Sequence, residues 1–174
     1  MVLSIHLCGQ SSSRTLNSRG YQQTKKENYS KAIKLFTKAT DLDPYYTDAY
    51  YNRALAYSKL QQYEQSIADY TKAINLRPSF KLAYNNRGSD RLQLKDYPGA
   101  IFDFTQAIKL DTAYAMAYFN RGTVYLHLED YNKAITDLKT ALFIKPDYPE
   151  AKMNFKIAEE RKNKNAMPSA NSNN

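Results

Sequence analysis

Apolar and small side chains recur along this chain in a fixed rhythm. From Thr47 onward they stand at Tyr50, Ala54 and Tyr57, then at Tyr63, Ser66, Ile67, Tyr70, Ala73 and Ile74, with the polar pair Gln61 and Gln62 between the two runs. Steps of three and four put such residues on one face of a helix. The rhythm predicts two helices, each of about 13 residues and ~20 Å long, joined by a tight break. Successive copies of the break carry Asn28, Gln62, Asp96 and Asp130, and the asparagine and aspartates are expected to cap the second helix. Pro44, Pro78 and Pro146 are expected to end that helix, because the residue before a proline avoids helical angles.

The copies return every 34 residues, as Tyr29, Tyr63, Tyr97 and Tyr131 mark. Blocks of 34 start at Ser13, Thr47, Lys81 and Ala115, and positions below are numbered within a block. The last three blocks agree without exception at position 3 (Ala49, Ala83, Ala117), position 4 (Tyr50, Tyr84, Tyr118), position 6 (Asn52, Asn86, Asn120) and position 7 (Arg53, Arg87, Arg121). They agree again at position 14 (Leu60, Leu94, Leu128), position 23 (Asp69, Asp103, Asp137) and position 27 (Ala73, Ala107, Ala141). Internal periodicity of this length signals stacked helical units, none of which buries its apolar face alone.

Small residues also recur at position 8 (Gly20, Ala54, Gly88, Gly122) and position 20 (Ala32, Ser66, Ala100, Ala134), and Phe36, Tyr70, Phe104 and Leu138 follow at position 24. Proline stands at position 32 in three blocks, with Thr112 in the other. In these features residues 13–148 resemble the tetratricopeptide repeat family. The resemblance implies an all-α fold, a right-handed superhelical solenoid of helix-turn-helix hairpins with a C-terminal capping helix. The expected division is a tail over 1–12, repeats over 13–46, 47–80, 81–114 and 115–148, a capping helix over 149–163 and a disordered tail over 164–174. The first repeat is degenerate in its first helix, where Gln22, Gln23 and Lys26 replace apolar residues. Residues 1–12 fit no repeat, and are either a loose tail or the remnant of a longer array.

Composition narrows the chemistry. A single cysteine, Cys8, excludes an internal disulfide and a multi-cysteine zinc site. His6 and His127 are far apart, no glycine-rich phosphate loop occurs, and Ser11, Ser12 and Ser13 lie in an expected coil with no nearby base. No catalytic constellation, metal site or cofactor is expected, and an enzyme is the least favoured class. The start of the chain reads neither as a membrane span nor as a secretory signal, so a cytoplasmic location with no membrane partner is expected. The net charge of +8 invites a nucleic-acid reading. The excess sits at the ends, however: residues 1–46 carry +4, whereas residues 115–148 carry none.

Two recurring polar positions carry the functional expectations. Arg53, Arg87 and Arg121 are each expected to pair within their own block, with Asp69, Asp103 and Asp137; pairing with the following block would leave Asp137 facing Phe155. These ties are structural. By the resemblance, position 6 lies on the concave face, where Asn52, Asn86 and Asn120 would form a ladder holding the backbone of a peptide, unless the amides only bridge adjacent helices. Tyr51, Asn85 and Phe119 at position 5, Leu82 and Met116 at position 2, and Lys59 at position 13 complete that expected peptide-binding face. A related sub-class grips acidic chaperone tails with a lysine, arginine and asparagine clamp; here the corresponding places hold Asn17, Tyr21, Asn52, Leu82 and Asn86, of which only Asn52 matches. The expected function is a non-enzymatic scaffold for a protein or peptide partner. The alternatives are an RNA-binding helical repeat, disfavoured by the constancy of position 6, and a structural fragment of a longer array, with self-association possible. In the third block, Asp90 and Arg91 replace the apolar pairs Ala56–Tyr57 and Val124–Tyr125. Either a local bond satisfies them, or they weaken a hairpin that opens on a partner.

Overall fold

The computed structural model describes residues 2–166, with side chains from residue 12 to residue 165. Among the described residues there is no strand, and nine helices follow one another: α1 (Val2–Lys25), α2 (Tyr29–Leu42), α3 (Thr47–Lys59), α4 (Tyr63–Leu76), α5 (Lys81–Gln93), α6 (Tyr97–Leu110), α7 (Ala115–His127), α8 (Tyr131–Ile144) and α9 (Pro149–Ala166). The chain is an all-α helical repeat. Helices α3, α5 and α7 each occupy positions 1–13 of their block, and α2, α4, α6 and α8 each occupy positions 17–30. The first kind are called A helices below and the second B helices. The helices form two compact units, Met1–Asp96 with α1 to α5 and Tyr97–Asn174 with α6 to α9.

Within each unit neighbours in sequence are neighbours in space, and successive A helices also touch: α3 meets α1 and α5, and α7 meets α9. Small residues make this possible. Ala32, Ala39, Ala49, Ala54, Ala73 and Ala83 in the first unit, and Ala117, Ala134, Ala141 and Ala151 in the second, are fully buried. A Cβ built on Gly20 would lie 2.5 Å from the Phe36 ring, and one on Gly122 would lie 3.0 Å from Leu138. Position 8 is therefore small because the aromatic or leucine of position 24 presses on it. In the first unit Phe36 packs with Ala32 and Ala56, and Tyr70 with Ala54, Ile74 and Ala83. In the second, Leu138 joins Leu126, Tyr131, Ala134, Ala151 and Ala158.

The break between A and B helices is made differently from the expectation. Of the anticipated side-chain caps, Asp130 accepts from the Lys133 amide at 3.2 Å, whereas Asn28 makes no cap bond; Gln62, not expected to cap, makes none either. The backbone itself turns the chain. Glu27, Gln61, Lys95 and Glu129, all at position 15, have φ of 58° to 60°. The next amide reaches back five residues: Asn28 to the Gln23 carbonyl at 2.9 Å, Gln62 to Tyr57 at 3.0 Å, Asp96 to Arg91 at 2.8 Å and Asp130 to Tyr125 at 3.0 Å. This is the Schellman arrangement, usually built on glycine because a left-handed residue with a Cβ is strained. Here it recurs in every block without one.

Where the B helix ends, Asp43, Arg77 and Lys145 leave the helical region as the following prolines require. Asp111 precedes Thr112 instead, and its carboxylate accepts the Ala113 amide at 3.0 Å, the same turn that Asp43 makes with the Tyr45 amide beside Pro44. The coil expected at Ser11 to Ser13 and the loose tail before it are corrected: residues 2–12 are helical and continuous with the rest of α1. No proline interrupts this stretch, and adding residues to an existing helix costs far less than starting one. Likewise α9 extends past residue 163 to Ala166; the rest of the expected C-terminal tail, residues 167–174, lies outside the described residues.

Candidate functional site

Arg53 and Arg121 each join three helices. Arg53 grips Asp69 through two bonds, Nε to Oδ2 at 2.6 Å and a second guanidinium nitrogen to Oδ1 at 2.7 Å. Arg121 grips Asp137 in the same way, at 2.7 and 2.8 Å. For Arg53 and Arg121 the pairing within a block is as the counting argument requires. A third partner was missed. The remaining nitrogen of each arginine donates to a threonine at position 25 of the preceding B helix: Arg53 to Thr37 at 3.1 Å, Arg87 to Thr71 at 2.8 Å and Arg121 to Thr105 at 2.9 Å. Arg53 also reaches Thr40 at 3.1 Å. The signal was in the sequence, since these threonines stand 34 apart and give way to Lys139 in the last block, after which position 7 is Phe155. Each guanidinium also lies 5.4 to 5.8 Å from the ring of its position-4 tyrosine, Tyr50, Tyr84 or Tyr118. Asp69 and Asp137 are nearly buried and hold Arg53 and Arg121 charged, so these two pairs fix hairpin geometry.

The position-6 asparagines lie along the A helices and are half-buried. Asn52 Nδ2 donates to Asn17 Oδ1 at 3.0 Å, and Asn86 Nδ2 donates to the Tyr51 hydroxyl at 3.1 Å. Each bond runs to position 5 of the preceding A helix. Asn120 has the same place on α7. The series continues into α9, where Asn154, 34 residues after Asn120, donates to Thr123 Oγ1 at 3.0 Å. With Ala151 at position 3, α9 has the register of a fifth A helix, which the sequence reading took only as a cap. Phe155 at position 7 matches Lys139 at position 25: arginine and threonine are lost together.

Position 5 has a regular partner that sequence reasoning also missed, the aromatic residue at position 34. Asn17 donates to the Tyr46 hydroxyl at 3.2 Å, the Tyr51 ring lies 4.7 Å from Phe80, and the Phe119 ring lies 4.9 Å from Tyr148. Tyr51 and Phe119 are thus half-buried against their own loops, and burial pushes the Tyr51 hydroxyl pKa up. Asn85 is 1% exposed and donates to Asn86 Oδ1 at 3.3 Å. Leu82 and Met116 are exposed, as is Lys59.

Asp90 is bonded locally, but not to Arg91. It is 3% exposed, and Oδ1 accepts from the Ser58 hydroxyl of α3 at 2.7 Å. Arg91 instead approaches Asp96, at 3.6 Å. Burial pushes the Asp90 carboxyl above its ordinary value. No helix among the described residues is long and apolar enough to cross a membrane, and no group of three or more metal-ligating side chains occurs among them.

A tetratricopeptide repeat model matches residues 47–80 and 115–148, and a second TPR repeat model matches residues 20–61, together more than half of the chain. The chain belongs to the tetratricopeptide repeat family. Among solved structures it is similar to the protein MamA, with 25% identity over 87% of this chain and 83% of that one, at a TM-score of 0.82. It is also similar to the Arabidopsis OM64 TPR domain, with 29% identity over 66% and 94% and a TM-score of 0.64. A third is the first TPR of Spaghetti (RPAP3), bound to the HSP90 peptide SRMEEVD, with 28% identity over 68% and 94% and a TM-score of 0.67. No curated protein matches the chain.

Proposed function

We propose that this chain is a protein-interaction scaffold that holds an extended peptide segment of a partner on its A helices, with Asn52, Asn86 and Asn120 addressing the peptide backbone. The observation that carries the reading is the anchoring of the amides. A side-chain amide has two N–H hydrogens and a carbonyl with two lone pairs. Asn52 gives one hydrogen to Asn17, and Asn86 gives one to Tyr51. That bond orients the amide plane before any ligand arrives, so less entropy is lost on binding. The second hydrogen and the carbonyl are the complement of a peptide bond. The peptide-bound state of the Spaghetti (RPAP3) relative supports the same use of the fold. Its peptide is acidic, whereas Leu82 and Asn86 stand here where the chaperone clamp resemblance requires cations, so a different peptide class is expected.

The test is the triple variant with Asn52, Asn86 and Asn120 each changed to alanine, compared with wild type for melting and for affinity capture of partners identified by mass spectrometry. The expected result is a folded variant that has lost the partners captured by wild type. A folded variant that keeps them would reduce the amides to ties between helices.

A further inference from the structure

The first hairpin has lost the acids that neutralise its cations. In α7 and α8, positions 7, 11, 18, 19, 22 and 23 line one groove of about 330 Å³, through Arg121, Tyr125, Asn132, Lys133, Thr136 and Asp137. Both of its cations are held: Arg121 by Asp137, at 2.7 and 2.8 Å, and Lys133 by Asp130 of position 16, at 2.6 Å. In α1 and α2 the same positions carry Arg19, Gln23, Ser30, Lys31, Lys34 and Leu35, with Asn28 at position 16. The two hairpins bring these positions together alike, since the glycine of position 8 meets the large residue of position 24 in both. A third cation is thus added, and both carboxylates are gone. Arg19, Lys31 and Lys34 are exposed and form no ion pair among the described residues. The second and third hairpins, by contrast, keep Asp69 and Asp103 at position 23 and add Glu64 or Asp96. Lys38 extends the stripe, because Lys31, Lys34 and Lys38 share one face of α2 over ~10 Å. Like charges at this spacing are destabilising. Packing does not require them, as position 22 is Ala68, Phe102 or Thr136 elsewhere.

We propose that this face of the first hairpin is an anion site, which docks an acidic segment, a run of Asp and Glu, of a partner protein. The Arg19 fork takes one carboxylate, as Arg121 takes Asp137, and the lysines take its neighbours. Carboxylates on one side of an extended segment repeat every ~7 Å, a step that long lysine side chains span. Gln23 adds a neutral bond: its Oε1 is taken by Asn28 at 3.2 Å, which leaves its N–H hydrogens for a peptide carbonyl. The other polyanions fit less well. Single-stranded RNA is gripped by aromatic rings on which its bases stack, and position 11, Tyr57 and Tyr125 elsewhere, is Gln23 here. Binding to an anionic membrane surface joins cations to apolar side chains that enter the interface, and none of the six residues is both apolar and exposed. The site is distinct from the position-6 amides, which bond along the A helices, whereas position 7 faces the B helices. It does not rest on the reading of those amides.

The experiment titrates the isotope-labelled full chain with acetyl-tetraglutamate amide and with acetyl-tetraglutamine amide, read by backbone amide shifts. The glutamate peptide is expected to shift the amides of Arg19, Gln23 and residues 30–35 saturably, and less as salt is raised. The glutamine peptide should leave them in place. Leu35→Asp restores the carboxylate of the other blocks, and is expected to occupy Arg19 and weaken the glutamate peptide about fivefold. Arg19→Gln, Lys31→Gln and Lys34→Gln together should weaken it by about tenfold or more, at about two- to fivefold for each cation. The same loss of charge elsewhere, Lys109→Gln, Lys139→Gln and Lys162→Gln together, should change it by less than about twofold, since distant charges are screened. Melting curves check that each variant is folded. Equal response to both peptides, shifts confined to other helices, unchanged binding by either folded variant of the site, or equal weakening by both triple variants overturns the proposal. Tighter binding of oligouridylate RNA or of phosphatidylserine vesicles through the same cations overturns it too, and assigns the face to nucleic acid or membrane. No partner protein is used, so this proposal and the reading of the position-6 amides fail separately.

Discussion

The first and fourth hairpins solve the same packing problem with different means. In α1 and α2, Gly20 lets the Phe36 ring come against the helix, and Arg19 has Leu35 at the place of an aspartate, so no arginine–aspartate tie exists. In α7 and α8, Gly122 receives Leu138, and the bidentate Arg121–Asp137 pair is added, with Thr105 as its third anchor. The hairpin itself thus needs only the small residue and its large neighbour. The arginine does something further: it bolts the hairpin to the preceding B helix. The difference separates what makes a repeat from what fixes one repeat on the next.

The largest expected effect comes from breaking what both hairpins share. Phe36→Ala empties a fully buried ring site beside Gly20 and should destabilise the protein by about 3–5 kcal/mol in denaturant titrations. Next comes the feature present only in the tied hairpins. Arg121→Ala leaves Asp137 buried without its partner and should cost about 3 kcal/mol, whereas Arg19→Ala should be close to neutral. A double-mutant cycle on Arg121 and Asp137 should show clear coupling; a coupling near zero would remove the tie from the account.

The same comparison extends to the A helices at position 10, where α5 has Asp90 and α7 has Val124. Because the folded carboxyl is held above its ordinary value, ionisation is disfavoured in the fold and the unfolded chain loses the proton first. The contribution of Asp90 to stability is therefore greatest below the ordinary aspartate range and is lost as pH rises from there through the raised folded value. Asp90→Asn should match wild type in acid and exceed it by about 1–2 kcal/mol at neutral pH. Thermal melts across pH check both the sign and the window. The smallest effect belongs to the turns, which are alike in all blocks. Gln61→Gly removes the strain of a left-handed residue at φ 59° and should stabilise by about 0.5–1 kcal/mol. A loss of stability would show that the turn is not strained.

Much of this was legible from spacing alone. The alternation of helices, the burial of Ala32, Ala73 and Ala134, and the pairing of Arg53 with Asp69 all follow from residues that return every 34 positions. The same signal, read one step further, contains Thr37, Thr71 and Thr105, and also Asn154, which makes α9 a fifth A helix. What misled the reading was local chemistry. Asn28 was a sound cap by residue type, but the backbone hydrogen bond from position 16 to position 11 already closes the turn, and its side chain turns to Gln23 instead.

The sequence by itself determined the repeat, because burial of a face at helical spacing depends only on which residues are apolar or small. It determined the register of each hairpin too, since the partner of a small residue must be large. Only the tertiary structure decided the fate of the polar groups. Whether Asn52 bonds to Asn17, whether Tyr51 lies on Phe80, and which of Ser58 and Ser66 gives its hydrogen to Asp90 depend on directions and on distances near 3 Å. Hydrophobic burial is non-directional and survives averaging over geometry, whereas a hydrogen bond is lost with a small rotation.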